Sequence, residues 1–336
     1  MSPCLDVRPN LESDFVSSRD AMVPLSGKIC VVTGAADGIG KAVAIALAEA
    51  GAIVYISGPL KVEGGNETLV PCLQNTVREA EAAGGICIPV ECDHTSVDDM
   101  EHLFDRVRDE KYCQLDVLVN CAFSGEPVLK EKRNEPFWQA SLELWDMASQ
   151  AGMRSYYIAS RRAASLMVPA RRGVIINVSS MSGFKALFNT AYGINKAACD
   201  RMTEDCSREL KEYGVAVLSL LPGLVKTEFL LECVNQNKLN FEEEMALSQG
   251  ETPQFVAKAV LNLVTDQNIM DKTGEIYTTV DIADTFKFTD VHGIKPLHPL
   301  SLRANMLYIG KWRLAKWIPR FVMAPKSLLI ANAIGP

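Results

Sequence analysis

Several things are scarce in this chain of 336 residues, and each scarcity excludes a class of function. There are only four histidines, His94, His102, His292 and His298, and none has zinc-ligand spacing to a cysteine, so no metal site is expected. The ten cysteines form no Cys-x-x-Cys pair. With no apolar leader before them, they read as reduced thiols of a cytosol-facing protein. No apolar run approaches the roughly 18 residues that a membrane span needs. Cationic excess is also missing: the formal charge of −7 argues against nucleic acid as a partner. The chain shows neither a short-period repeat nor a low-complexity tract.

What is present is an α/β rhythm. Residues 1–27 are polar and aperiodic and read as a flexible extension. From Lys28 onward, apolar β-branched runs alternate with helical patterns. Strands are expected at Ile29–Val32, Ile53–Ile56, Ile86–Val90, Leu115–Asn120, Val174–Val178, Val215–Leu221 and Gly274–Val280. Helices are expected at Lys41–Ala50, Asn75–Ala83, Val97–Val107, Leu142–Val168, Tyr192–Tyr213 and Phe255–Val264. This order predicts a Rossmann-type, doubly wound parallel sheet with helices on both faces over residues 28–285.

In such sheets ligands bind beyond the carboxyl ends of the strands, and the special residues gather there. Thr33-Gly34-Ala35-Ala36-Asp37-Gly38-Ile39-Gly40 joins the first strand to the first helix. Its glycines let the backbone approach a pyrophosphate, whose charge the helix N-terminus favours. Asp93 ends the third strand, where its carboxylate can accept from an adenine amino group or cap a turn. Asn120 ends the fourth and can tie strand ends together. Pro222-Gly223 breaks the sixth. Thr227 follows, with a hydroxyl that can meet a nicotinamide amide or cap a helix.

Tyr192 and Lys196 lie one helical turn apart, so they share a face. An ammonium beside a phenol favours the phenolate, which suits the tyrosine to acid–base work on a carbonyl or alcohol. The preceding strand ends in Ser179-Ser180, a hydroxyl source for the substrate oxygen.

The order and spacing of Thr33–Gly40, Asp93, Asn120-Cys121-Ala122, Ser180, Tyr192-x-x-x-Lys196 and Pro222-Gly223-x-x-x-Thr227 resemble the short-chain dehydrogenase/reductase family over roughly residues 27–285. The resemblance implies a nicotinamide cofactor and oxidoreduction of small hydrophobic carbonyls or alcohols, steroids among them. Ser180, Tyr192 and Lys196 would be catalytic. Gly34, Asp37, Gly38, Ile39, Gly40, Asp93, Asn120, Tyr192, Lys196, Pro222, Gly223 and Thr227 would bind the cofactor. Ser180 is preferred to Ser179 because Gly183 completes the family's Ser-x-x-Gly pattern, although Ser179 has the usual distance to the tyrosine. Cys121 replaces a usual asparagine, and Gly152 stands where the family places the asparagine of its proton relay. Ser149 or Gln150 can take over there. A weakly active nucleotide-sensing scaffold is the alternative function.

Ser57-Gly58-Pro59 carries no acid after the second strand, where NAD-specific relatives have one. With Lys41 and Lys61 nearby, NADP is the expected cofactor and NAD the alternative.

Residues 301–336 contain six cations and no acid, so the first 300 residues carry −13. Tyr308, Trp312, Trp317 and Phe321 are interleaved with them, a composition suited to an anionic lipid interface. The apolar positions share no helical face, and Pro319 and Pro325 interrupt a helix. This basic aromatic extension, residues 286–336, lies beyond the last expected strand, so the sheet is expected not to need it. Peripheral contact with the cytosolic face of the endoplasmic reticulum is one expectation. Packing over the enzyme's own substrate entrance or on a second subunit is the other.

Overall fold

A computed structural model describes residues 23–59, 72–123, 136–185, 189–236, 241–308 and 310–324. Lys61 lies outside the described residues, as do residues 1–22 of the expected extension. Seven strands run parallel in the order β3-β2-β1-β4-β5-β6-β7: β1 Ile29–Thr33, β2 Ile53–Gly58, β3 Ile86–Glu91, β4 Val117–Asn120, β5 Gly173–Val178, β6 Val215–Leu221 and β7 Ile276–Thr278. The order reverses between β1 and β4, which opens a crevice where the glycine turn leaves β1.

Strand alternation splits the core in two. Cys30 and Val32 of β1 face α1 (Gly38–Glu49) and α9 (Pro253–Val264), whereas Ile29 and Val31 face α3 (Val97–Glu110) and α5 (Ser155–Ala170). The other helices are α2 Leu73–Ala82, α4 Leu142–Ala148, α6 Thr190–Leu210, α7 Glu228–Asn235, α8 Phe241–Ser248, α10 Thr279–Phe286, α11 Leu302–Tyr308 and α12 Trp312–Ala315. None of the described helices is long and apolar enough to cross a membrane. Before Lys28 the chain is already part of the fold: Leu25 is buried in the core and bonds to the Ala50 carbonyl.

The flexible extension expected up to residue 27 therefore does not reach that far, and three other expectations also need correction. The seventh strand stops at Thr278, because Thr278 and Asp281 form a capping box that starts α10. The single helix expected over Leu142–Val168 is interrupted by a π-helical turn, Ser149–Arg154, centred on Gly152. The extension also contains helices, α11 and α12, each too short to reach Pro319. Ala304, Leu307 and Ala315 pack with Ala246 of α8 and with Leu297, and Lys185 donates to Asn305 at 2.9 Å. Ser301 and Met323 bridge as a short antiparallel pair. Residues 301–308 and 310–324 are therefore docked on the domain.

Candidate active site

Two glycines make the first turn. Gly34 has φ +65°, and a Cβ there would lie 2.6 Å from the Ala122 Cα. A Cβ on Gly40 would strike the Gly34 carbonyl at 2.1 Å. The turn is thus pressed against the end of β4, where Thr33 Oγ1 accepts from the amides of Cys121 at 3.1 Å and Ala122 at 3.2 Å. The result is a backbone cradle facing the N-terminus of α1.

That cradle opens into a cleft of about 710 Å³. It is lined by Gly34, Asp37, Gly38, Ile39, Gly40, Asp93, Tyr192, Lys196 and Thr227, so most of the residues expected from sequence meet at one place. Asn120, Ser180, Pro222 and Gly223 do not line it. Asn120 is fully buried behind the cleft and donates to Asn177 at 2.8 Å and Ser160 at 3.1 Å. Asn177 passes the link on to Thr203 at 2.8 Å, and Thr203 meets Ser219 at 2.9 Å. Five elements, β4, β5, β6, α5 and α6, are tied together by this chain of polar groups.

Tyr192 and Lys196 lie on α6, whose N-terminus is capped by Asn189 accepting from the Tyr192 amide at 2.9 Å. Lys196 is buried and donates to the Val178 carbonyl at 2.8 Å. Its ammonium sits over three rings, 5.4 Å from Tyr156 and 5.8 Å from both Phe123 and Tyr192. Burial opposes its charge, but the two phenols outweigh burial and hold it above the ordinary lysine range. Phe123 packs edge-on against Tyr192 at 5.0 Å. Neither Phe123 nor Tyr156 was expected, since no local spacing connects them with the pair.

Ser180 caps a short 3₁₀ turn, Met181–Gly183, by accepting from the Ser182 amide at 3.2 Å. Its neighbour Ser179 lines the cleft. Near the Gly152 turn, Ser149 accepts from Asn195 at 3.3 Å, whereas Gln150 is exposed. Ser155 closes the π turn by donating to the carbonyls of Ala151 and Gly152.

At the far end of the cleft Asp93 makes a turn with Thr95, accepting from its amide at 2.9 Å and its hydroxyl at 2.8 Å. His94 was foreseen only as a histidine without metal spacing. It sits 2.9 Å from the Ser57 hydroxyl at the end of β2, and burial pushes it down to about 4, so the ring is neutral. Lys41 pairs with Glu228 at 2.8 Å and Glu79 at 3.4 Å. Thr227 caps α7 by accepting from the Leu230 amide at 3.4 Å and packs its methyl toward Gly38.

The Pro222-Gly223 segment is clamped from behind by Glu251. Its main chain bonds to Leu224 and Lys226 at 2.9 and 2.8 Å, and its buried carboxyl takes the Thr279 hydroxyl at 2.8 Å. Burial raises this carboxyl to about 8, opposed by the Thr279 hydroxyl and the Gly223 amide.

A sequence profile described as short chain dehydrogenase matches residues 28–238. Dehydrogenase/reductase SDR family member 1 of Homo sapiens is 37% identical over 312 residues, covering 91% of this chain and 97% of that protein. Among solved structures, 7 alpha-hydroxysteroid dehydrogenase complexed with NADH and 7-oxo glycochenodeoxycholic acid is similar with a TM-score of 0.64. It is 26% identical, over 82% of this chain and 98% of that one. A metagenomic short-chain oxidoreductase in complex with NADP is also 26% identical, with a TM-score of 0.60, over 76% of this chain and 97% of that one.

Proposed function

Because the chain belongs to the short-chain dehydrogenase/reductase family, we propose that it reduces carbonyls or oxidises alcohols of small hydrophobic molecules with a nicotinamide dinucleotide. The observation that carries this reading is the meeting of the Tyr192/Lys196 pair and the glycine cradle in one cleft. The cradle suits a pyrophosphate: Gly34 and Gly40 let the turn pack tightly against β4 and itself, and the turn leads into the N-terminus of α1, which lines the cleft. The bound dinucleotide supplies or takes a hydride. Tyr192 then gives its proton to the carbonyl oxygen, or removes it from the alcohol. The buried ammonium of Lys196 offsets negative charge on the phenol oxygen, and Ser180, which caps the turn beside the cleft-lining Ser179, is assigned to hydrogen-bond the substrate oxygen once its hydroxyl turns toward the cleft.

NADP(H) is the proposed form of the cofactor, on the absence of an acid in Ser57-Gly58-Pro59. Steroids belong to the proposed substrate range, since the relative bound to a 7-oxo bile acid derivative handles a molecule of that class. The extension adds a proposed peripheral contact with anionic membrane on the cytosolic face of the endoplasmic reticulum. Leu314, Trp317, Phe321 and Met323 are exposed there among Arg313, Lys316 and Arg320. A homo-oligomer is part of the same reading. The π turn at Gly152 favours one alternative, a weakly active nucleotide-sensing scaffold, because no side chain extends from that position into the relay.

The test is a turnover screen of hydrophobic aldehydes, ketones and steroids with NADPH and NADH, following cofactor absorbance. Substrate-dependent oxidation of either cofactor is expected. Cofactor binding without turnover across the panel would replace the enzyme reading with the scaffold.

A further inference from the structure

We propose that Glu228 is a resident carboxylate at the phosphate position of the glycine cradle, which the cofactor must displace, so that it sets cofactor affinity and couples α7 to cofactor occupancy. This rests on the dinucleotide reading above. Glu228 Oε2 accepts from the Gly38 amide at 3.0 Å, and Glu228 Oε1 takes the Lys41 ammonium at 2.8 Å. Gly38 is the first residue of α1, and the free amides of a helix N-terminus are where a phosphate seats. An anion already holds one of those donors and the Lys41 ammonium.

Charge and packing support the same conclusion. Burial works against the Glu228 carboxylate, but Lys41 and the Gly38 amide overcome it and keep the group ionised. Asp37 beside it is pushed up by burial and by the Glu228 charge, so the turn already carries carboxylate repulsion before a phosphate arrives. Glu228 opens α7, and only Cys233 of that helix is buried, while Leu231 is 45% exposed. The helix is largely at the surface, and its bond to the cradle anchors its first residue. Releasing Glu228 frees Lys41 to pair with a phosphate oxygen and frees the start of α7, next to Thr227.

The experiment titrates the full chain with NADPH and with NADH by fluorescence, and displaces the bound cofactor with ADP or adenosine. Glu228→Gln should tighten both dinucleotides about tenfold, or ~1.4 kcal/mol. Glu228→Ala should act in the same direction. The gain should extend to ADP and not to adenosine, which has no phosphate. Adding Lys41→Met to Glu228→Gln should reverse the gain. Unchanged or weaker dinucleotide binding in both Glu228 variants, with melting temperatures equal to the parent, would overturn the proposal. An equal gain for adenosine would also overturn it. A parent protein that binds no dinucleotide removes the reading beneath it.

Discussion

The Lys196 ammonium lies 5.8 Å from the centre of the Tyr192 ring while donating to the Val178 carbonyl at 2.8 Å. The lysine is thus fixed by β5 and acts on the tyrosine through space. Tyr192→Phe should keep the ring contact with Phe123 and the cofactor cradle, and remove only the proton. Turnover should fall ~10²–10⁴-fold, with dinucleotide affinity unchanged. Steady-state kinetics and a fluorescence titration on the purified variant check it. Substantial turnover would move the proton-donor role to another group, with Ser180 the first to test.

The second prediction concerns Glu251, whose buried carboxyl is raised from an ordinary 4.5 to about 8. In the folded protein it keeps its proton over a range where the unfolded chain has lost it. Stability from this group is therefore full below about pH 4.5 and is lost as pH rises toward about 8. Glu251→Gln keeps an uncharged, hydrogen-bonding group at the site. Between pH 5 and pH 9 the melting temperature of the parent should drop relative to this variant. A constant difference across that range would show that the carboxyl titrates normally.

How much of this was legible in the sequence depends on the range of the interaction. The central strands were readable because they are short β-branched runs buried on both faces, as in Val174–Val178, whereas the edge strands β3 and β7 are partly exposed. Tyr192 and Lys196 were readable because four residues make one helical turn. The capping box of Thr278 and Asp281 was readable too, by its spacing, although the strand pattern masked it. Other contacts had no local signal. Glu228 reaches an amide 190 positions away, and His94 reaches Ser57 across a strand end. The rings of Phe123 and Tyr156 meet Lys196 only because β4 and α5 deliver them there. Such pairings exist only after the sheet has set its order.

Cofactor preference gives the third prediction. NADPH should bind more tightly than NADH, since no carboxylate follows β2 to accept from the ribose hydroxyls. Lys41 contributes less than its position suggests, being paired with Glu228 and Glu79. Asp37 lines the same cleft and opposes a 2′-phosphate. Asp37→Asn should therefore improve NADPH binding more than NADH binding. Parallel fluorescence titrations measure the ratio. Equal or tighter NADH binding by the parent would refute the preference and make Asp37 its cause.

The last prediction concerns the exposed side of the extension. Deleting residues 301–336 would uncover the cluster of Ala246 and Leu297 and break the Lys185–Asn305 bond, so a truncation would disturb the domain as well as its surface. Surface substitutions are the better probe. Trp317 is 87% and Phe321 82% exposed, so Trp317→Ala with Phe321→Ala removes aromatic surface without opening the docked face. Arg313 and Lys316 lie 5.3 and 4.6 Å from the Trp312 ring, near those aromatics. Each cation near an anionic surface contributes about 1 kcal/mol, and salt screens it. The parent should float with anionic liposomes at low salt, less so at high salt, and not with neutral ones. The double variant should float poorly under all three conditions while its melting temperature and turnover stay at parental values. If the parent does not float and the double variant loses turnover, the aromatic surface serves the pocket or a second subunit, and the membrane reading is wrong.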